Sequence, residues 1–203
     1  MKFKDFEYVR PDLDKLRAEV SALIEKLSDE HTVDEVLKAY FDLNDILEDY
    51  RTMATLASIR HSINTKDEFY IKERDFFNVE GPALMPLFQQ ISLRLVASKH
   101  RAELEEKLGK LMFEQTELSL KTFKPEIVPH LQKENQLSTE YSKLLASAEI
   151  EFDGKILNLS QMAPYTTHID REVRKSAQLA VSGWLEGQEA EIDRIYDELV
   201  KLR

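Results

Sequence analysis

The sequence lacks cysteine and is poor in residues that interrupt helices. The absence of cysteine from all 203 residues excludes disulfide bonds, thiol catalysis and cysteine-ligated metal sites. Glycine occurs five times and proline six times, about half of their usual combined frequency. Because Leu, Glu, Lys and Ala are abundant and breakers are few, long helices are expected.

Basic residues are also in deficit. The 28 Lys and Arg against 38 Asp and Glu give a formal net charge of −10, which argues against nucleic acid or an anionic membrane as the main partner. The longest uncharged runs, residues 81–93 and 156–169, contain proline and are too short to cross a membrane. The first seven residues carry acids and no apolar core, so no secretory signal is expected. Composition therefore predicts a soluble, cytoplasmic protein and indicates no chemistry by itself.

Apolar residues recur at helical spacing along most of the chain. A first helix is expected from Pro11, which suits a first helical turn, with an apolar face of Leu13, Leu16, Val20, Leu23, Ile24 and Leu27. Thr32-Val33-Asp34-Glu35 is a capping-box pattern and predicts a long helix to about His61. Thr65-Lys66-Asp67-Glu68 repeats the pattern and predicts a helix through Phe77.

Glycine and proline set the next expected boundaries. Gly81-Pro82 is expected to end one helix and to start another over residues 82–108. Gly109 is expected to interrupt the pattern, and further helices are expected over 110–123 and from Pro125 to about Ser147.

One segment changes from helical to alternating period. Glu149-Ile150-Glu151-Phe152 alternates, Asp153-Gly154 supplies two turn residues, and the extended pattern resumes to Leu159. An Asp-Gly pair between β-favouring runs is a strong hairpin signal, because both turn residues need positive φ. The predicted fold is therefore mainly α: a multi-helical array of long antiparallel helices with one small β-hairpin near residues 149–159.

The C-terminal part is expected to form a long helix without a visible end. Ser160 is expected to cap a short turn that ends at Pro164, and Thr167 to cap a helix from about His168 onward. The apolar stripe of that helix comprises Ile192, Ile195, Tyr196, Leu199, Val200 and Leu202. Because no Gly, Asn or Pro closes the helix, we expect the chain to be a fragment; a frayed terminal helix is the alternative.

No residue pattern predicts an active site. The best arrangement for a metal is Glu126, His130 and Glu134, spaced four apart along one helical face. Acids four residues from a histidine are common in so acidic a chain, so a solvated helical face is favoured. Trp184 and Tyr196 are expected to be core or interface aromatics. The sequence has no glycine-rich phosphate loop and no Gly-x-Ser-x-Gly elbow.

Two polar clusters have structural explanations beside functional ones. Arg60-His61 with Asn64 and Thr65 is favoured to bind carbonyls at a helix end rather than a ligand. Asp170-Arg171 with Arg174-Lys175 could bind an anion, but the same residues suit the dipole of a helix that starts there, and this second interpretation is favoured.

Several segments share their order and spacing with one known family. They are residues 59–70 (Ile-Arg-His-Ser-Ile-Asn-Thr-Lys-Asp-Glu-Phe-Tyr), Glu134-Asn135-Gln136-Leu137 with Glu140-Tyr141, the hairpin from Ile150 to Gly154 leading to Asn158-Leu159, Asp170-Arg171 with Arg174-Lys175-Ser176-Ala177, and residues 195–201. Together they resemble oligoendopeptidase F-type peptidases, relatives of thimet oligopeptidase. The likeness covers nearly the whole chain, about Lys2 to Arg203. No single motif is diagnostic, but the order and spacing together are fairly specific.

The resemblance implies the N-terminal part of a longer, mostly helical zinc metallopeptidase whose two halves enclose a channel for short peptides. In that family an H-E-x-x-H helix holds zinc through two histidines, a downstream glutamate is a further ligand, and the motif glutamate activates water. No histidine here is followed by Glu and no two histidines lie four apart. Residues 1–203 therefore supply no catalytic and no metal residue, and substrate-binding residues are unassigned. Zinc is expected in a catalytic region that this chain lacks.

Three interpretations stay open at this point. In the favoured one, the chain is an N-terminal region that is inactive alone, holds no stoichiometric zinc and exposes an apolar surface for its catalytic half or for self-association. Short peptides would be substrates of the complete protein. In the second, the chain is an autonomous helical binding module, expected to be a monomer with a polar surface. In the third and least favoured, it is half of a split enzyme whose second polypeptide supplies H-E-x-x-H.

Overall fold

The structure, a computed structural model, describes residues 5–203. The expectation of no secretory signal rests partly on residues 1–4, which lie outside the described residues. The described chain is mainly helical with one small antiparallel hairpin, which confirms the predicted fold class. It divides into two compact units, Met1–Leu131 and Gln132–Arg203. Within residues 5–203 no helix combines the length and apolarity needed to cross a membrane.

The first unit is built from long helices around one core. Thr32 and Glu35 form the predicted capping box, in which Glu35 Oε2 accepts from the Thr32 amide at 2.8 Å. Gly109 separates two helices as predicted, and its φ of 92° favours glycine. The elements are α1 (Leu13–Lys26), α2 (Val33–Ile63), α3 (Glu68–Ala97), α4 (Arg101–Leu108), α5 (Lys110–Thr122), a 3-10 turn (Pro125–Ile127) and α6 (Val128–Ala146), most of which belongs to the second unit. Fully buried core members include Val20, Leu84, Leu104 and Phe113.

The predicted break at Gly81-Pro82 is wrong, because α3 runs through it from Glu68 to Ala97. Proline lacks an amide hydrogen and crowds the preceding helical turn. Pro82 is nevertheless buried, and Leu84 beside it is fully buried in the core. Packing of the apolar face therefore outweighs the local cost of the proline.

The helix expected to follow that break is also divided, at Ser98. The turn after Ser98 is bound to the loop between α1 and α2. The Lys99 amide donates to Asp29 Oδ1 at 2.9 Å, and His100 Nε2 lies 2.9 Å from the carbonyl oxygen of His31. These contacts join residues 70 and 69 positions apart, so the local pattern does not contain them.

Two helix starts in the first unit differ from the prediction by one or two residues. Asp12 caps α1 by accepting from an amide of the first turn, so Pro11 precedes the cap instead of lying in the helix. Asp67, and not Thr65, caps α3 in the same way. A carboxylate satisfies the same orphan amides as a hydroxyl and also interacts favourably with the helix dipole.

The second unit contains the predicted hairpin and the last helices. Strand β1 (Ile150–Phe152) pairs antiparallel with β2 (Lys155–Leu157). Asp153 and Gly154 have φ of 53° and 71°, which confirms the predicted Asp-Gly turn. The helices that follow are α7 (Leu159–Thr166), α8 (Arg171–Gly187) and α9 (Glu189–Leu202). The hairpin packs against α7 and α8 around Ala148, Ile150, Leu157, Met162 and Ala177.

Two caps of the second unit also lie beside their predicted positions. Asn158, and not Ser160, starts α7 in a capping box with Gln161. Asp170, and not Thr167, starts α8. In both cases the residue that caps is the one whose side-chain oxygen reaches an amide two or three positions later.

The terminal helical region is interrupted where one helix was predicted. Helices α8 and α9 meet at Gln188, directly after Gly187, and the low helix propensity of glycine favours an end there. Pro164, expected to end the short turn, lies inside α7, which continues to Thr166.

Candidate functional site

The three residues weighed as a metal arrangement, for which the sequence favours a solvated helical face, do not all lie in one helix. Glu126 lies in the 3-10 turn, and His130 and Glu134 lie in α6. Glu134 accepts from Arg203 Nη2 at 2.5 Å, so its carboxylate forms an ion pair. Over residues 5–203 no three histidine, aspartate or glutamate side chains come together as a metal site requires. The described residues therefore do not fit a bound zinc ion, and we assign them no catalytic step.

Residues 6–10 form a non-helical segment, the N-terminal strap, that contacts both α2 and α3. Arg60 of α2 donates to the Tyr70 hydroxyl at 2.7 Å and also to the Phe6 carbonyl. The Val9 amide lies 3.4 Å from Met53 Sδ of α2. Arg60, which the sequence interpretation assigned to helix-end carbonyls, thus holds the strap.

The other residues of that polar cluster have separate places. His61 is buried within α2, with 3% exposure. Asn64 is the C-cap of α2, and its side-chain oxygen accepts from the Lys66 amide at 3.1 Å. Thr65 lies in the turn before α3. The cluster therefore closes a helix and positions the strap, and its members do not converge on one cavity.

Glu73 of α3 is the buried anchor of the strap. Its side chain is 4% exposed, and its carboxylate accepts from the Tyr8 hydroxyl, from Arg10 Nε at 2.9 Å and from Arg10 Nη2 at 2.5 Å. The Arg10 guanidinium lies 4.7 Å from the centre of the Phe76 ring. Hydrogen bonding from Arg10 holds the pKa of Glu73 below its ordinary value, whereas burial and the bond to Glu73 raise the pKa of Tyr8.

A second ion pair repeats the sequence separation of this anchor. Arg10 and Glu73 are 63 positions apart, and Arg17 on α1 donates to Glu80 on α3 at 3.1 Å across the same 63 positions. The Glu80 side chain is 31% exposed, against 4% for Glu73. Sequence reasoning missed both pairs. The available signal is a shared spacing: Arg10 and Arg17 lie seven residues apart on one segment, and Glu73 and Glu80 lie seven apart on another.

Asp170 and Arg174 stabilise the start of α8. Asp170 Oδ1 accepts from an amide of the first turn at 2.8 Å, and Arg174 Nη1 donates to two carbonyls of the preceding loop at 2.6 and 2.8 Å. These contacts support the capping interpretation over the anion site. Arg171 and Lys175, the other basic residues of the cluster, are exposed.

Helix α9 buries one side and leaves another uncovered. Ile195 is 1% exposed, whereas Tyr196 is 67% and Val200 is 55% exposed. Tyr196 and Val200 lie four residues apart and so share one helical face, which we name the outer face of α9. Tyr196 is therefore not a core aromatic, while Trp184 packs against the core of the second unit. The predicted terminal stripe is divided between a buried side and the outer face.

Ion pairs tie α9 to α6. Arg194 lies 2.6 Å from Glu140, and Lys133 lies 2.9 Å from Glu198. Hydrogen bonds from Lys133 and Arg194 lower the pKa of Glu198. Exposed pairs of this kind are individually weak, so they add less to the position of α9 than the burial of Ile195 does.

Known proteins share both the sequence pattern and the fold. The family model of the peptidase M3 N-terminal domain matches residues 3–123. A protein assigned as oligoendopeptidase F from Bacillus anthracis (strain Ames) is 42% identical, with a TM-score of 0.95 over 100% of this chain and 37% of that one. PZ peptidase A, solved with an inhibitor, is 40% identical, with a TM-score of 0.95 over 99% of this chain and 36% of that one. No curated protein matches the chain. The chain thus spans little more than a third of the solved structures that it matches.

Proposed function

Since this chain belongs to the M3 peptidase family and matches its N-terminal domain, we propose that it is the channel-forming, N-terminal part of a zinc-dependent oligopeptidase that hydrolyses peptide bonds in short peptides. The observation that carries this proposal is the likeness of the whole chain to little more than a third of a longer fold: 42% identity over 100% of this chain and 37% of the relative, together with the match to the M3 N-terminal domain. PZ peptidase A, with its bound inhibitor, supports peptides as the substrate class.

The proposal divides the work between this chain and further polypeptide. Zinc would supply a polarised water for attack on the peptide bond, but the sequence has no H-E-x-x-H and the described residues offer no zinc ligand set. The metal and the reacting groups are therefore assigned to a catalytic region that this chain does not include. The long helices α2 and α3, of 31 and 30 residues, are suited to form a wall.

The outer face of α9 is the surface that we assign to contact with the catalytic region. Tyr196 and Val200 are both more than half exposed, and adjacent uncovered apolar side chains are a feature of interaction surfaces. Tyrosine is favoured at such surfaces because it buries a large area and keeps a polar end. A cytoplasmic location stays a prediction.

Zinc analysis and peptide hydrolysis test the proposal together. The 203-residue chain should contain no stoichiometric zinc after purification and should not cleave a fluorogenic short peptide. It should bind the remaining part of the Bacillus anthracis relative, produced as a separate zinc-loaded polypeptide. One tightly held zinc per isolated chain, or hydrolysis by this chain alone that survives further purification, would contradict the assignment.

A binding module without catalysis is the second candidate. The observation that favours it is that each unit has a buried core of its own, so neither needs further polypeptide for its apolar interior. Light scattering separates the two functions: a module is a monomer at every concentration and ignores the catalytic polypeptide. Self-association that Tyr196→Ser abolishes would favour the peptidase assignment instead.

A further inference from the structure

The loop between α7 and α8, residues 167–170, carries the most exposed large apolar side chain in the described part of the chain. Ile169 is 94% exposed, compared with 67% for Tyr196 and 65% for Ile156 in the same unit. An isolated exposed apolar residue is ordinary on a protein surface. Ile169 differs because the loop that carries it is fixed on both sides.

Arg174 restrains the loop through hydrogen bonds to its backbone. Its Nη1 donates to the carbonyl oxygens of His168 and Ile169, at 2.6 and 2.8 Å. Two carbonyls on one guanidinium nitrogen restrain two successive peptide planes, and hydrogen bonds to a charged group are stronger than neutral ones. The backbone that carries the Ile169 side chain is therefore restrained at two successive carbonyls.

The two ends of the loop are also bonded. The Asp170 amide donates to His168 Nδ1 at 3.1 Å, and Asp170 caps α8. On the other side, the amides of Thr167 and His168 donate to carbonyls of α7 at 3.2 Å each. Both helices that flank the loop, α7 and α8, pack into the buried core of the second unit. The backbone of the loop is thus preorganised, and it presents Ile169, which is 94% exposed.

We infer that Ile169 is a docking knob that inserts into an apolar pocket of the catalytic region. This inference rests on the proposed function and names a contact point within it. Relatives contain nearly two thirds of their length beyond the part that this chain matches, and that polypeptide is the occupant to which the proposal commits. A rigid apolar anchor surrounded by polar residues matches the anatomy of interface hot spots, and Asp170, Arg171 and Glu172 beside Ile169 are exposed and charged. Rigid presentation avoids the ordering cost that a flexible loop would incur on binding.

The test measures binding of the 203-residue chain to the remaining part of the Bacillus anthracis relative by calorimetry. Ile169→Ser should weaken binding by about tenfold or more, as loss of a central apolar anchor does. Its matched control is Ile156→Ser, which removes an exposed isoleucine from the hairpin and should leave the affinity within about twofold. Circular dichroism should show unchanged helicity for both variants, since both side chains point to solvent.

A second pair of variants separates preorganisation from contact. Arg174→Gln removes the bonds to the loop but keeps Ile169, and it should weaken binding through a slower association rate or a larger entropic cost. Lys175→Gln removes the same charge from the neighbouring exposed position and should have no such effect. Arg174→Lys should recover part of the affinity, because one ammonium group can still bond a carbonyl.

The possible outcomes distinguish this inference from the proposed function. If the wild-type chain binds and Ile169→Ser binds equally well, or loses no more affinity than Ile156→Ser, the inference about Ile169 is wrong while the proposed function stands. If the wild-type chain does not bind a folded, zinc-loaded catalytic polypeptide, both fail. If Ile169→Ser instead abolishes self-association of the 203-residue chain, the occupant is a second copy and the inference is overturned. Where the separate polypeptide does not fold, the variants are compared in a chimera in which this chain replaces the matched part of the relative. The readout is then the thermal unfolding midpoint, which Ile169→Ser should lower more than Ile156→Ser does.

Discussion

Replacement of Glu73 by glutamine should release the N-terminal strap while the helices beneath it stay folded. Glu73 Oε2 accepts from both the Tyr8 hydroxyl and Arg10 Nε, and Oε1 accepts from Arg10 Nη2. In the glutamine variant, one of these oxygens becomes an amide nitrogen, which cannot accept. A donor then faces a donor at a site that is 4% exposed, where water cannot fully compensate.

The magnitude follows from burial. A hydrogen bond to a buried charged group contributes about 1.5–3 kcal/mol, and because Arg10 itself is 50% exposed, we take the lower half of that range, about 2 kcal/mol. If local opening limits amide exchange, about 2 kcal/mol corresponds to roughly 30-fold faster exchange. Glu80→Gln is the matched control, since Glu80 pairs with Arg17 across the same separation but is 31% exposed. Its expected cost is below about 1 kcal/mol.

Hydrogen exchange of a peptide that covers residues 5–12, followed by mass spectrometry, reports the opening of the strap through the Val9 amide, which is bonded to Met53 Sδ. Chymotrypsin cleavage after Tyr8 provides an independent readout, whereas trypsin is unsuitable because Pro11 follows Arg10. Exchange in the core of α2 and α3 should stay close to the wild-type rate. Equal acceleration by Glu73→Gln and Glu80→Gln would contradict Glu73 as the specific anchor of the strap, because Glu80 pairs with Arg17 on α1. Slow exchange in both variants would show that the strap is held by its other contacts.

The same variant predicts a pH dependence with a definite sign. Because the pKa of Glu73 is lowered in the folded chain, its ionised carboxylate stabilises the folded state above the pKa of an unfolded glutamate, about 4.3. That stabilisation is lost as the pH falls through the lower, folded-state pKa. The free-energy difference between wild type and Glu73→Gln should therefore be constant between pH 6 and 8 and should shrink below about pH 4. A difference that grows on acidification would contradict this assignment.

Three further changes test local features of the fold. Burial raises the pKa of Tyr50 to about 12, so stability should be full below pH 10 and fall by up to about 2 kcal/mol as the pH rises from 10 towards 12; Tyr50→Phe should flatten this part of the urea-unfolding profile, and an unchanged slope would contradict it. At both Gly109 and Gly183 an added Cβ would meet no atom within 4 Å, so the two alanine variants differ only in backbone conformation. Gly109→Ala should cost about 1–2 kcal/mol because φ is 92°, whereas Gly183→Ala, inside α8, should gain about 0.5–1 kcal/mol. Thermal melts that rank them otherwise would refute the backbone argument. Thr32→Ala should cost about 1 kcal/mol by loss of the capping box, and Thr32→Ser should restore most of it in the same assay.

Features defined by neighbouring residues could be predicted from the sequence. The capping box at Thr32 involves residues three positions apart, and the hairpin turn at Asp153-Gly154 involves adjacent residues. In both cases the chemistry that decides the conformation is contained in a short window. The family also could be predicted, because the order of several segments along the chain carries more information than any one of them.

Features decided by packing or by distant partners could not be predicted in this way. Pro82 carries a strong local signal for a helix end, but burial of its surroundings keeps α3 continuous. The groups that bind Glu73 lie 63 and 65 positions away, and the seven-residue spacing that Glu73 shares with Glu80 does not by itself say which arginines they meet. Arg174 was identified as basic and near a helix start, but its bonds to the loop carbonyls depend on where α7 ends.

The terminal stripe shows the limit of periodicity in a way that bears on function. Helical spacing groups Ile195, Tyr196 and Val200 as one apolar set, yet Ile195 is 1% exposed and the other two are more than half exposed. Spacing determines which residues are neighbours on a helix, but the rotation of the helix against α6 determines which of them face the core. In α9 the buried position is Ile195, and exposed ion pairs of Arg194 and Lys133 join the helix to α6. Because both side chains are already partly covered, burying their remaining exposed area would gain about 2–3 kcal/mol, and the proposed function assigns that gain to contact with further polypeptide.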